Sequence, residues 1–110
     1  MSRPPQLQWD ELKDARRFQR VPARASATLM STALGRVPVS LCDLSQGGCR
    51  MHTNIRCREG DRFVLKLEGI GPRAVTVVWR TEDGAGGAEI GLAFAEPISW
   101  SVVEGIALRR

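Results

Sequence analysis

Two short stretches of this 110-residue chain hold the residue types that could do chemistry. The first is Arg16-Arg17-Phe18-Gln19-Arg20-Val21-Pro22, with Arg24 close behind, so that four arginines and no acid fall between residues 15 and 24. A guanidinium is a planar fork that pairs bidentately with a phosphate or a guanine edge and stacks on flat rings. An Arg-x-x-x-Arg pair therefore points to an anionic, planar ligand, while the same run also reads as a solvated basic face. The second stretch is Asp43-Leu44-Ser45-Gln46-Gly47-Gly48, an Asp-x-Ser-x-x-Gly pattern between two apolar runs. Taken alone it reads equally well as an Asx-type corner, with Asp43 and Ser45 capping backbone groups while the glycines reverse the chain.

Catalytic and metal motifs are absent or poorly spaced. Gly84-Ala85-Gly86-Gly87 lacks the glycine spacing of a dinucleotide fingerprint and falls between strands, so it reads as a hairpin loop. His52 is the only histidine, and Cys49 lies three residues away, on the opposite face of an extended strand. Cys42, Cys49, His52 and Cys57 match no common zinc spacing, so no metal and no cofactor are expected, and the chain is not expected to be an enzyme.

The elements that must position these stretches follow from the apolar pattern. Alternation of period two runs through Val37, Val39 and Leu41, through Phe63, Val64, Leu65 and Leu67, through Val75, Val77 and Trp79, and through Ile90, Leu92 and Phe94. Gly47-Gly48, Glu59-Gly60-Asp61, Gly69-Ile70-Gly71-Pro72 and residues 83–87 supply turns between the runs. The pattern predicts six strands near 24–32, 36–43, 47–53, 62–68, 73–81 and 88–95, which fit a small antiparallel barrel or sandwich. After Pro97, the spacing of Ile98, Val102, Val103, Ile106 and Ala107 predicts one helix that covers a barrel opening, with Arg109 and Arg110 at its C-terminal end. Trp79, Trp9 and Trp100 read as packing residues, and Arg24 as solvated.

Charge and composition bound the rest. Apolar residues make up 43% of the chain and charged residues 25%, which is ordinary globular composition. Residues 1–36 hold seven basic groups against three acidic ones, while residues 37–110 hold nine of each, so the whole net charge of +4 sits in the first third. Fourteen of the sixteen basic residues are arginine. Three cysteines imply no disulfide framework, and no run approaches the 18 apolar residues of a membrane span, so a soluble cytoplasmic protein is expected.

The two stretches, in this order, resemble the signature of the PilZ domain family, an Arg-x-x-x-Arg stretch followed by Asn/Asp-x-Ser-x-x-Gly. Arg16 and Arg20 match the first half; Asp43, Ser45 and Gly48 match the second. Val78-Trp79 and Glu89-Ile90-Gly91-Leu92-Ala93-Phe94 resemble the later part of the family, so the likeness spans about residues 16–107. The resemblance implies an all-β fold: a six-stranded antiparallel β-barrel with a flexible N-terminal arm (residues 1–23) and a C-terminal α-helix within residues 24–110. It also implies a bacterial receptor for cyclic di-GMP whose arm closes on the ligand and which signals to a downstream partner protein. The implied ligand-binding residues are Arg16, Arg17, Arg20, Asp43, Ser45 and Gly48. Two alternatives stand beside it: a small basic barrel binding single-stranded nucleic acid, and a PilZ-fold adaptor without a nucleotide. The chain has no tyrosine and three phenylalanines, with no aromatic ladder for stacking bases, which disfavours nucleic acid.

Overall fold

A computed structural model of the protein describes residues 19–108. Seven strands and a helix follow in order: β1 (Val21–Pro22), β2 (Ser26–Ser31), β3 (Gly35–Leu44), β4 (Gly48–Thr53), β5 (Arg62–Leu67), β6 (Gly71–Glu82), β7 (Ala88–Phe94) and α1 (Trp100–Leu108). All pairings are antiparallel. The six long strands run β3-β2-β5-β6-β7-β4, and β4 pairs back on β3 to close the barrel. Closure leaves none of these six without a neighbour on either side, so the sheet has no long free edge to manage. The six strands and the helix expected from alternation are all present. The two-residue β1 was not expected; it lies within the segment assigned to the arm and pairs Val21 with Leu44 and Pro22 with Asp43.

Alternation builds the core. Leu29, Leu41, Met51, Leu65, Val77, Ile90 and Leu92 point inward from six strands and are almost wholly buried. Ile98, Val103 and Ile106 join the same cluster, so the C-terminal segment is fastened to the barrel interior by its apolar side. Burying a side chain of this size contributes about 1.5–3 kcal/mol each. Ser99 starts the helix: its hydroxyl accepts from Val102 N at 3.3 Å, an N-cap ahead of Trp100. Trp100 packs half-buried against the core, as expected, whereas Trp9, Arg109 and Arg110 lie outside the described residues. No helix among the described residues is long and apolar enough to cross a membrane.

Two strands break the alternation. Between Leu41 and Asp43 the register against β4 slips by one residue: Leu41 pairs with Met51 and Asp43 with Arg50, leaving Cys42 as the extra residue of a β-bulge. Between Val77 and Trp79 the same happens against β7, with Val78 as the extra residue. Cross-strand partners share a face of the sheet. Asp43 therefore faces outward with Arg50, and Trp79 faces outward over Gly91, although an unbroken period of two would have turned both side chains inward. The bulged Val78 is 50% exposed.

Candidate functional site

The bulges create a polar row on the outside of the barrel. Reading across β3, β4, β7 and β6, Asp43 is the partner of Arg50, Arg50 of Gly91, and Gly91 of Trp79. Four strands are three spacings, so the row runs about 14 Å from the carboxylate to the indole. Trp79 is half-buried and is not part of the buried core, which corrects its reading as a core residue. Its ring takes the place of a side chain at Gly91: a Cβ there would fall 2.2 Å from Trp79 Nε1 and 2.5 Å from Cε2. The glycine is thus the floor on which the indole lies.

Asp43 is the electrostatic centre of the row. Its side chain is only 13% exposed. Arg50 Nε donates to its Oδ2 at 3.0 Å, and Arg20 Nη1 lies 3.7 Å from Oδ1. Arg50 reaches on through Nη1 to Glu89 Oε1 at 3.4 Å. The Asp43 carboxylate, and to a lesser degree Glu89, holds the Arg50 guanidinium above its ordinary pKa, so it stays charged at every accessible pH. Asp43 Oδ1 is buried and has no hydrogen-bond partner among the described residues. A buried carboxylate oxygen left in this state is costly, on the order of 1–3 kcal/mol. It is a natural seat for an incoming N–H donor.

The rest of the Asp-x-Ser-x-x-Gly stretch is occupied by its own turn. Ser45 is buried; its hydroxyl donates to Gly48 O and accepts from Gly47 N and Gly48 N, all at 3.2 Å. Its backbone N also donates to Gly48 O at 2.8 Å. The corner is stitched to its surroundings: Phe94 N donates to Gly47 O, and Ile98 N to Gln46 O. Gly48 keeps an ordinary φ; what it cannot have is a Cβ, which would sit 2.0 Å from the backbone oxygen of Leu92. The close backbone approach at Gly48 is thus to β7. Of the sequence-derived site residues, the structure gathers Arg20 and Asp43 and joins them to Arg50, while Arg16 and Arg17 lie outside the described residues. Arg24 is exposed.

Sequence reasoning missed Arg50, Glu89 and the outward face of Trp79. The signal for Arg50 was its place two residues after Gly48, on the polar face of a strand whose apolar face holds Cys49 and Met51. Burial, helped by the nearby Asp43 charge, pushes the Cys49 thiol up to about 12, so it stays protonated and unreactive. Cys49 faces inward while His52 faces out, and among the described residues no group of three or more His, Cys, Asp or Glu gathers as a metal set. On the next row of the barrel surface, His52 Nε2 is hydrogen-bonded to Asp83 Oδ2, and Asp83 Oδ1 accepts from Ala85 N at 2.7 Å and Gly87 N at 3.1 Å. The Ala85 amide chiefly, and His52 next, hold the Asp83 carboxyl below its ordinary value.

Comparison with known proteins agrees with this geometry. The family model of the PilZ domain matches residues 14–104. Among solved structures, the PilZ domain of YcgR from Escherichia coli, determined with c-di-GMP, aligns at a TM-score of 0.54 and 18% identity, covering 83% of this chain and 85% of that one. The Bacillus subtilis inhibitor of motility MotI/DgrA aligns at 0.58 and 13% identity over 84% of this chain, which spans only 47% of that protein. No curated protein matches the sequence.

Proposed function

This chain belongs to the PilZ domain family, and from that membership we propose that it is a receptor for cyclic di-GMP, a binding module and not a catalyst. The observation that carries the reading is Asp43 Oδ1: buried, lacking a hydrogen-bond donor among the described residues, and set between an exposed arginine and a row that ends in an indole ring. Guanine offers N1–H and an exocyclic amine on its Watson–Crick edge, and a carboxylate accepts both. Adenine presents an acceptor where guanine has N1–H, so the same carboxylate repels it. Arg20, 54% exposed and held to Asp43 by a long contact only, can swing to a phosphate or to the O6 and N7 of a guanine. Arg16 and Arg17, which precede it in the sequence, add forks of the same kind. Trp79 offers a face for a purine to lie on. Ser45 and Gly48 serve the ligand through the corner that presents Asp43.

In this reading the arm closes on the ligand, and the altered surface is offered to a downstream protein in the cytoplasm. Calorimetric titration tests the core of it: cyclic di-GMP should bind, with GMP and cyclic di-AMP weaker by at least about tenfold, the value of one hydrogen bond to a charged group. Binding of single-stranded RNA in place of cyclic di-GMP would reverse the assignment. Hydrogen exchange tests the closure: amides of residues 14–24 should gain protection when ligand is added, and equal exchange in both states would remove it.

A further inference from the structure

Resting on the cyclic di-GMP reading, we propose that Arg50 is a positioning residue that sets guanine selectivity without touching the ligand. A carboxylate is planar, so a directional bond to one oxygen fixes where the other points. Arg50 Nε supplies that bond to Oδ2 at 3.0 Å and thereby aims Oδ1. Arg50 is itself held from the far side by Glu89, the neighbouring outward residue of β7. The three side chains form a brace across β3, β4 and β7, three of the four strands that carry the row.

The brace has a second effect, on Arg20. Two arginines compete for one carboxylate, and Arg50 holds the hydrogen-bonded place while Arg20 is left at 3.7 Å, beyond hydrogen-bond length. Arg20 remains available for the ligand because Arg50 has taken Asp43. Without Arg50, Arg20 would collapse onto Asp43, and one change would withdraw both the acceptor and the fork. A lysine cannot replace it, since an ammonium is a point charge with no planar Nε to direct.

The test measures selectivity as well as affinity, using cyclic di-GMP and its inosine counterpart, cyclic di-IMP, which lacks the exocyclic amine. The wild-type chain should prefer the guanine ligand by about tenfold or more. In Arg50→Gln that preference should shrink at least threefold, cyclic di-GMP losing more than cyclic di-IMP, and Arg50→Lys should behave the same way. Glu89→Ala should shrink it less, because the Nε bond survives. Equal losses for both ligands in Arg50→Gln would show that Arg50 supplies only general attraction and would overturn the inference. So would a wild-type preference retained in Arg50→Lys. If the wild-type chain binds neither ligand, the receptor reading itself fails and takes this inference with it, an outcome separate from the other two.

Discussion

Asp43 and Ser45 are two residues apart, yet their side chains are in opposite states. Ser45 makes three hydrogen bonds within its own turn, and the hydroxyl has no hydrogen left to offer. Asp43 is held on one oxygen and, among the described residues, has no hydrogen-bond partner on the other. A single short motif thus divides into a part that folds the chain and a part that its turn does not use. The division explains why the motif reads two ways in the sequence: Ser45 and Gly48 form the turn, while the ligand reading rests on Asp43, which the turn does not use.

Substitutions across the motif can break this division or sharpen it. The largest effect belongs to Gly48→Ala. Its Cβ would meet a backbone oxygen, not a flexible side chain, so the strand pairing itself must give way. Stability should fall by about 3 kcal/mol or more, lowering Tm by more than about 10 °C in a thermal melt. A nearly unchanged melt would mean that Gly48 is needed for something other than folding. Next comes Asp43→Ala, which should weaken cyclic di-GMP by about 10–100-fold in calorimetry while leaving the melt almost where it was. If it unfolds the protein instead, Asp43 belongs with Ser45 and the division disappears. Ser45→Ala should do the reverse on a smaller scale, costing about 1–2 kcal/mol of stability through the two amides it leaves unpaired. Its binding constant, measured well below the melt, should stay within a few-fold of wild type.

The smallest effect lies on the neighbouring row. Because the folded Asp83 carboxyl is held below the unfolded value of about 3.9, the unfolded chain takes up the proton first as pH falls. Its contribution is complete above that value and is lost only below it, as the folded group titrates. The amide resonances of Ala85 and Gly87 should therefore stay still from neutral pH down to about 4 and move below it. Movement already well above that pH would show that the Asp83 carboxyl does not control the loop.

Much of the fold was legible because a half-buried strand must alternate, and the large apolar residues of β5 and β7 do so apart from Val64. The arginine pair and the Asp-x-Ser-x-x-Gly stretch were legible as types and spacings. What could not be read was direction. Val75, Val77 and Trp79 look like one continuous face, and nothing in their types marks the residue at which β6 gains an extra member. Trp79 was assigned inward for that reason. Arg50 was passed over for another: its place on the polar face of β4 was readable, but its importance comes from Glu89, 39 residues away, and from closure of the barrel, which brings β4 between β3 and β7. Strand β1 escaped notice because two residues are too few to show a period.

The two bulges can also be thought of as changes of parity. In an unbroken strand every second residue belongs to the interior, so odd and even positions have fixed meanings along its length. Cys42 switches odd for even in β3, which then buries Leu44 in the opposite phase, and Val78 does so in β6, which ends with Trp79 and Arg80 half-buried and Thr81 and Glu82 exposed. The barrel tolerates the switch because the core of β3 resumes with Leu44 and β6 has no fully buried residue beyond its bulge. A chain that kept every residue but paired these strands without the bulges would keep its composition, its motif letters and much of its core. It would present the wrong side of the ledger to the solvent: Asp43 or Trp79 facing the interior, and the site gone without any of its residues having changed.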